Sequence, residues 1–234
     1  MKFWAMVPAR GGSKSIPLKN LVPVCGRPLI DYGVLAARAS GAFERIICST
    51  EDERITERCQ MLGIEVDRRP ESLCGDDTPV SEVAREFLTR AHNPPDYLAL
   101  IQPTSLFLRA EDITNLLAAI RSSPGCNSGQ TITPVPHNHH AWNQRVLVDG
   151  MVRFNFAEER KKAYNKQSKP KLFVFGNLVV ARVGALLEGA SFFQEPSASV
   201  EIQSPYDFDL DIGTDIQWAE ILLNAGKVIL NHLP

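Results

Sequence analysis

Three cations and a glycine pair are crowded into residues 9–20, a stretch without an acidic residue. Arg10, Lys14 and Lys19 carry the charge, and Gly11 and Gly12 follow the first of them. Glycine lets backbone amides approach an anion closely, and a loop leaving a strand can turn its amides toward phosphate oxygens. The stretch therefore predicts a phosphate-binding loop, with a solvated turn that only aids solubility as the alternative.

The spacing of this loop does not support two common classes of nucleotide-binding protein. It matches neither Gly-x-x-x-x-Gly-Lys-Ser/Thr nor Gly-x-Gly-x-x-Gly. A P-loop ATPase and a dinucleotide-binding dehydrogenase are both unsupported. Another kind of phosphate binder is required.

Aspartates alternate with apolar residues over positions 207–211. In an extended segment the carboxylates share one face and repel each other, and Mg²⁺ would offset that repulsion by binding one or two carboxylates together with phosphate oxygens. A solvent-facing edge whose charges deter aggregation is the alternative. Asp215 is assigned to the start of the following helix, where an acid suits the helix dipole.

Composition indicates an ordinary globular protein that binds anions only locally. The chain has 234 residues, 44% of them hydrophobic, and a formal net charge of -2. This charge gives no general attraction to nucleic acid or to an anionic membrane. Five cysteines without a Cys-x-x-Cys pair, together with the lack of a secretory or membrane-spanning pattern, predict a cytoplasmic protein.

Strand and helix patterns alternate along most of the chain, which predicts one α/β domain over residues 1–234 with a largely parallel sheet covered by helices. Strands are expected at 2–7, 43–48, 64–68, 97–102, 172–181 and 199–203, and helices at 28–39, 52–62, 79–91, 110–121 and 214–224. The alternation fails at about 134–170, which we interpret as an inserted lobe. His137, His139 and His140 lie there without the spacing of a zinc site, so a loop that closes on substrate or contacts a subunit is expected.

The stretch Ala-Arg-Gly-Gly-Ser-Lys-Ser-Ile-Pro-Leu-Lys-Asn at 9–20 closely resembles the signature loop of the acylneuraminate cytidylyltransferases, the CMP-sialic acid synthetases and their bacterial relatives. Gly-Arg-Pro-Leu-Ile at 26–30 is similar to an element that sugar nucleotidyltransferases share more broadly. The resemblance implies a single-domain nucleotidyltransferase with a mixed, mainly parallel Rossmann-like (glycosyltransferase-A-like) sheet. It further implies a homodimer that uses the lobe for dimerisation or substrate binding.

The reaction implied by the family is transfer of CMP from CTP to the anomeric hydroxyl of a nine-carbon 2-keto sugar acid, with Mg²⁺ as cofactor and pyrophosphate released. The residues implied to be catalytic are Arg10, Lys14, Lys19 and Asp211. Those implied to bind nucleotide are Arg10, Gly11, Gly12, Lys14, Lys19, Asn20, Arg69 and Thr78. The family pattern Asp-x-Asp-x-x-x-Asp makes Asp209 and Asp211 the metal ligands.

On the acceptor side the resemblance implies contacts to the sugar acid from Gln102, Thr104, Ser105, Lys166, Gln167, Phe192 and Phe193. Three departures from the family pattern affect this side. Lys166 stands in an arginine position, Gly176-Asn177 reverses the order Asn-Gly, and one additional residue precedes Arg109. For the aromatic pair, burial in the core is the alternative.

Two competing functions remain open at this point. One is the related synthetase for the eight-carbon acid of lipopolysaccharide, and the other is a regulatory protein that binds nucleotide without chemistry. The sequence does not distinguish neuraminic, legionaminic and pseudaminic acids as acceptors, because the departures lie where that choice would be made.

Overall fold

The computed structural model describes residues 1–163 and 168–233. Its strands are β1 (Phe3–Pro8), β2 (Pro23–Val24), β3 (Arg27–Pro28), β4 (Arg45–Thr50), β5 (Glu65–Arg68), β6 (Tyr97–Leu100), β7 (Ser128–Pro134), β8 (Arg145–Val148), β9 (Met151–Phe154), β10 (Phe173–Arg182) and β11 (Ser197–Glu201). Its α-helices are α1 (Leu29–Ser40), α2 (Glu53–Met61), α3 (Val80–Arg90), α4 (Ala110–Ser122), α5 (Ala157–Lys162), α6 (Val183–Leu187) and α7 (Gly213–Asn224).

Seven strands form the central sheet in the order β11-β7-β10-β6-β1-β4-β5. Strand β10 runs antiparallel to both of its neighbours, and the other pairs in this sheet are parallel. The predicted mixed, mainly parallel α/β fold is confirmed. Because β1, β4, β5 and β6 run in one direction, the loops that follow them meet at one edge of the sheet, where open α/β sheets bind ligands.

Helices bury the sheet on both faces, which explains the nearly continuous apolar composition of its central strands. Along β1, Phe3, Ala5 and Val7 belong to a core cluster shared with α1, α2 and α4. Trp4 and Met6 point to the opposite face and pack with α3 and α6. The strand–helix order therefore produces a three-layer core that holds the carboxyl edge rigidly.

A third apolar cluster joins the two ends of the chain. It includes Ile16 from the predicted phosphate loop and Leu210 from the aspartate segment, together with residues of α7. The ring of Phe208 packs beside Phe107, with 5.1 Å between the ring centroids. Burial of these side chains brings segments that are remote in sequence to the same edge of the sheet.

Strand β7 is missing from the sequence prediction, and β11 begins two residues earlier than predicted. The residues of β7 are rich in Ser, Thr and Gln, so they lack the apolar signal of a buried strand. The hydroxyl of Thr131 is nevertheless buried and donates to Asn177 Oδ1 at 2.9 Å. Internal hydrogen bonds of this kind allow a polar strand to lie between β11 and β10 in the sheet.

Residues 145–162 lie within the predicted lobe and form elements separate from the central sheet. Strands β8 and β9 pair as an antiparallel hairpin, which α5 follows. Side chains of the hairpin, such as Leu147 and Val152, are exposed. Across the described part of the chain, no helix combines the length and apolar character needed to cross a bilayer.

Candidate active site

A cleft of about 560 Å³ opens at the carboxyl edge of the sheet. Loops that follow β1, β5 and β6 form its walls. The residues predicted for function that line it are Arg10, Lys14, Lys19, Asn20, Arg69, Thr78, Gln102 and Thr104. Residues from three loops that the sequence predicts to bind nucleotide or sugar therefore line one cavity.

The first glycine of the pair, Gly11, packs closely against the start of α2. The Gly11 amide donates to Glu51 Oε1 at 2.7 Å. A Cβ at this position would collide with the carboxylate of Asp52, which caps α2 by accepting from the Arg54 amide at 2.9 Å. Gly12 is exposed, and a Cβ there would meet no atom within 4 Å. Close packing therefore requires glycine at position 11, and a phosphate could take the Gly11 amide only if Glu51 released it.

Lys19 connects the phosphate loop to the aspartate segment, although 192 positions separate Lys19 from Asp211. Its Nζ lies 3.4 Å from Asp211 Oδ1 and 3.4 Å from the Asp211 backbone oxygen. The adjacent Asn20 is buried and donates from Nδ2 to the Arg10 carbonyl at 3.0 Å, which closes the loop upon itself. Cation and carboxylate therefore meet at the rim of the cleft.

Asp76 faces the other two cations of the loop and is a site residue that the sequence prediction missed. Arg10 Nη1 lies 2.7 Å from Asp76 Oδ1, and Lys14 Nζ pairs with Asp76 Oδ2. The hydrogen bond from Lys14, with a second from Arg10, lowers the pKa of the Asp76 carboxyl. The adjacent acids Asp76-Asp77 in a loop after β5 are the only local signal, and that signal does not name its partners.

Arg69 is a buried residue that lines the cleft. Its side chain is buried, and Nη2 donates to the Ser49 backbone oxygen at 2.8 Å. Burial lowers the pKa of Arg69, while the nearby Glu51 raises it. Thr78 lies on the neighbouring turn, where its amide donates to the Gly75 carbonyl at 3.4 Å. The hydrogen bond to Ser49 therefore holds the Arg69 guanidinium in place before any ligand binds.

The aspartate segment stands on an apolar base. Leu210 is buried between the exposed Asp209 and Asp211, and its amide donates to the Thr104 carbonyl at 3.0 Å. Asp215 Oδ2 accepts from the amides of Asp211 at 2.7 Å and Ile212 at 2.8 Å. Asp215 is thus committed to fixing the backbone before α7, while the carboxylates of Asp209 and Asp211 face outward.

The acceptor-side residues divide between the cleft, the core and the surface. Gln102 and Thr104 line the cleft, whereas Ser105 is buried and bonds through its amide to the Gln102 carbonyl. Phe192 belongs to the core cluster with α3 and α6. Phe193 is 54% exposed and meets Phe175 edge-on, with centroids 5.3 Å apart. The two remaining acceptor-side predictions, Lys166 and Gln167, lie outside the described residues.

The two departures at Asn177 and Arg109 have structural roles. Asn177 is fully buried, and its Nδ2 donates to the Tyr206 carbonyl at 3.0 Å, directly before the aspartate segment. Arg109 Nη2 donates to Asp112 at 2.6 Å, and its guanidinium lies 4.0 Å from the centroid of the Tyr206 ring. Both side chains are therefore engaged in holding the segment that carries the aspartates.

The carboxylates available for a metal are few. Residues 1–163 and 168–233 contain no group of three or more His, Cys, Asp or Glu side chains that could hold an ion alone. Asp209 and Asp211 fit Mg²⁺ at a nucleotide, because that ion takes one or two carboxylates and fills its shell with phosphate oxygens and water. In the lobe, both ring nitrogens of His140 are used, Nε2 with the Pro170 carbonyl and Nδ1 with the Trp142 amide.

Three comparisons place the chain among known proteins. A family model described as "Cytidylyltransferase" matches residues 4–170. The CMP-N,N'-diacetyllegionaminic acid synthase of Legionella pneumophila subsp. pneumophila is 29% identical over 224 residues, which cover 94% of this chain and 94% of that protein. The N-acylneuraminate cytidylyltransferase of Escherichia coli is 26% identical, covering 93% of this chain and 51% of that enzyme, so the chain spans about half of its length.

Among solved structures, a CMP:2-keto-3-deoxy-manno-octonic acid synthetase complexed with CTP is similar to this chain, with a TM-score of 0.75. The similarity covers 97% of this chain and 100% of that one at 15% sequence identity. At this identity the likeness shows a shared fold.

Proposed function

Because the chain belongs to the cytidylyltransferase family, we propose that it transfers CMP from CTP to the anomeric hydroxyl of a nonulosonic, sialic-type acid and releases pyrophosphate. The observation that carries this proposal is the contact of Lys19 with Asp211 at the rim of the cleft, 3.4 Å between Nζ and Oδ1. It supports a site in which the basic loop and the aspartate segment act on the same triphosphate.

The reaction needs no protein nucleophile. The anomeric oxygen attacks the α-phosphorus, the bond from that phosphorus to the oxygen bridging to the β-phosphate breaks, and the hydroxyl proton passes to solvent. Arg10, Lys14 and Lys19 stabilise the charge that develops on the departing pyrophosphate. Catalysis then rests on positioning and on electrostatic stabilisation, as is usual for phosphoryl-group transfer.

Magnesium dependence is part of the proposal, with Asp209 and Asp211 holding the ion. When bound, Mg²⁺ neutralises phosphate charge and polarises the α-phosphate as a Lewis acid. Support comes from the outward direction of the two carboxylates around the buried Leu210. Asp215 keeps its role in the backbone and stays outside the metal shell.

The acceptor is proposed to be a nine-carbon acid, because the names of the two relatives give legionaminic and N-acylneuraminic acids. Gln102 and Thr104 would meet the sugar acid in the cleft. Phe193, exposed beside Phe175, offers an apolar edge for an acyl group, whereas Phe192 supports it from the core. Contacts from Ser105, Lys166 and Gln167 stay predictions, as do phosphate contacts from Gly11 and Gly12.

An acceptor panel tests the function. The chain is incubated with CTP, Mg²⁺ and neuraminic, legionaminic, pseudaminic or 3-deoxy-manno-octulosonic acid, while pyrophosphate release and the CMP-sugar mass are measured. We expect at least one nine-carbon acid to yield both products, with none formed when Mg²⁺ is omitted. Turnover of the eight-carbon acid alone, or CTP binding without turnover, would contradict the proposal.

We also propose that the chain forms a homodimer through the lobe. The hairpin of β8 and β9 exposes apolar side chains on a small two-stranded sheet; these are Val146, Leu147, Val148, Met151 and Val152. Exposed apolar patches of this kind mark contact surfaces in soluble proteins. Light scattering should give the mass of a dimer for the native chain and of a monomer for Leu147→Arg, and a monomeric native chain would refute it.

A further inference from the structure

Asp76 lies across the cleft from the basic loop and contacts two of its three cations. One carboxylate oxygen pairs with Arg10 Nη1 at 2.7 Å, and the other pairs with Lys14 Nζ. Arg10 Nη1 also donates to the Cys74 backbone oxygen at 3.4 Å. A single carboxylate therefore engages the charges with which the loop would meet a triphosphate.

Asp76 and a phosphate group compete for the same donors. Asp76, Arg10 and Lys14 all line the cleft, and their side chains are accessible, at 32%, 30% and 82% exposure. A phosphate that binds Arg10 and Lys14 must displace the carboxylate or lie beside it, and like charges at that distance repel. The contact consequently opposes an anion more than it stabilises the fold, because exposed ion pairs contribute little to stability.

We infer that Asp76 is a positioning residue for the proposed transfer. Its carboxylate pairs again with Arg10 and Lys14 as pyrophosphate leaves, and thereby speeds release of that product. The inference rests on the proposed function. In the free protein Asp76 holds the two cations over the cleft, CTP with its additional base and sugar contacts displaces it, and pyrophosphate lacks those contacts. The carboxylate weakens the binding of both anions to a similar extent, so pyrophosphate, which lacks the base and sugar contacts, dissociates while CTP stays bound.

The charge of Asp76 persists over the useful range of pH. The hydrogen bonds from Lys14 and Arg10 lower the pKa of this carboxyl, so Asp76 is ionised at every pH above the ordinary pKa of an aspartate side chain. Asp76→Asn removes the charge, keeps the shape and leaves one oxygen to accept a hydrogen bond. Asp77→Asn is the matched control, because Asp77 is the adjacent exposed acid and is not among the cleft-lining residues.

The experiment measures binding of inorganic pyrophosphate by calorimetry and its inhibition constant in turnover, at low and high salt, for the native chain and both variants. For Asp76→Asn we expect roughly tenfold tighter pyrophosphate binding, a similar fold-gain for CTP, and a steeper loss of pyrophosphate affinity with salt. For Asp77→Asn we expect changes of less than about twofold. Thermal unfolding of the variants checks that the fold is retained.

The opposite results overturn the inference. Unchanged or weaker pyrophosphate binding in Asp76→Asn would mean that the carboxylate only orders the loop, and an equal gain in Asp77→Asn would mean a general field effect. These outcomes leave the proposed function intact if the native chain makes CMP-sugar. A native chain that binds neither CTP nor pyrophosphate would overturn both.

Discussion

The basic loop at 9–20 lines the cleft, the aspartate segment at 207–211 contacts the cleft-lining Lys19 and Thr104, and the two segments are held in different ways. In the loop, the Gly11 amide and the side chains of Arg10 and Lys14 are paired with carboxylates of Glu51 and Asp76. In the aspartate segment, the burial of Leu210 and hydrogen bonds to the backbone fix the chain, so its carboxylates stay exposed.

This difference separates two requirements of an ionic site. The groups that we propose receive an anion are held by the protein carboxylates of Glu51 and Asp76, which a ligand would have to displace. The carboxylates that we propose hold a cation stand on an apolar base, the buried side chain of Leu210. Each half can therefore be disrupted by a different kind of substitution.

Asp211→Asn should produce the largest effect. We expect turnover to fall by about 10²–10³-fold, the size of effect seen when one electrostatic stabiliser of a transition state is lost. The midpoint of thermal unfolding should change little, because the Asp211 side chain is 76% exposed. Steady-state turnover with CTP and a nonulosonic acid measures this, and near-native turnover would remove Asp211 from the site.

Leu210→Ala removes the buried apolar side chain that supports the aspartate segment. The side chain is 1% exposed, so its truncation should cost about 2–5 kcal/mol of unfolding free energy, the range for Leu→Ala in a packed core. Denaturant titration gives the value. A cost below about 1 kcal/mol would show that the segment does not depend on this side chain.

Gly11→Ala tests the packing of the basic loop, with Gly12→Ala as its matched control. The new Cβ at position 11 would collide with Asp52, and we expect a loss of about 1–3 kcal/mol from overpacking. The Cβ at position 12 enters open space, so unfolding free energy should stay within about 0.5 kcal/mol of the native value. Equal destabilisation of the two variants would refute the close approach at Gly11.

Asp215→Ala should destabilise the fold less than Leu210→Ala or Gly11→Ala does. It removes the carboxylate that accepts from the Asp211 and Ile212 amides, and loss of such a cap costs about 0.5–2 kcal/mol. Turnover should also decrease, because the backbone of Asp211 loses an anchor. Metal affinity lowered as strongly as by Asp211→Asn would instead indicate that Asp215 is a ligand.

The fold was largely predictable from the sequence because its central strands are apolar and buried on both faces. Strand β6 (Tyr97–Leu100) and its neighbours give that signal clearly, whereas β7 does not, since its buried hydroxyls are satisfied by partners such as Asn177 that no local pattern reveals. The same limit applies at Asn177. In the sequence its position suggests a contact to the sugar, whereas in the structure its buried side-chain amide donates a hydrogen bond to the Tyr206 carbonyl.

The candidate site was predictable where a motif is contiguous and not where partners come from separate loops. The basic loop follows from its own charge and glycines, and the aspartate segment from its alternation of carboxylates with apolar residues, for which the family resemblance favours a metal site. Asp76 was missed because its ion-pair partners, Arg10 and Lys14, lie more than sixty positions earlier in the chain. Phe192 and Phe193 are neighbours in sequence, yet one lies in the core and the other on the surface.

A double-mutant cycle on Lys19 and Asp211 tests most directly whether the two segments act on one ligand. Turnover is measured for Lys19→Met, Asp211→Asn and the double variant under saturating CTP and acceptor. If both side chains serve the same triphosphate, the double variant should be at least about tenfold more active than the product of the two single effects predicts. Multiplication of the single effects to within about twofold would contradict a shared site.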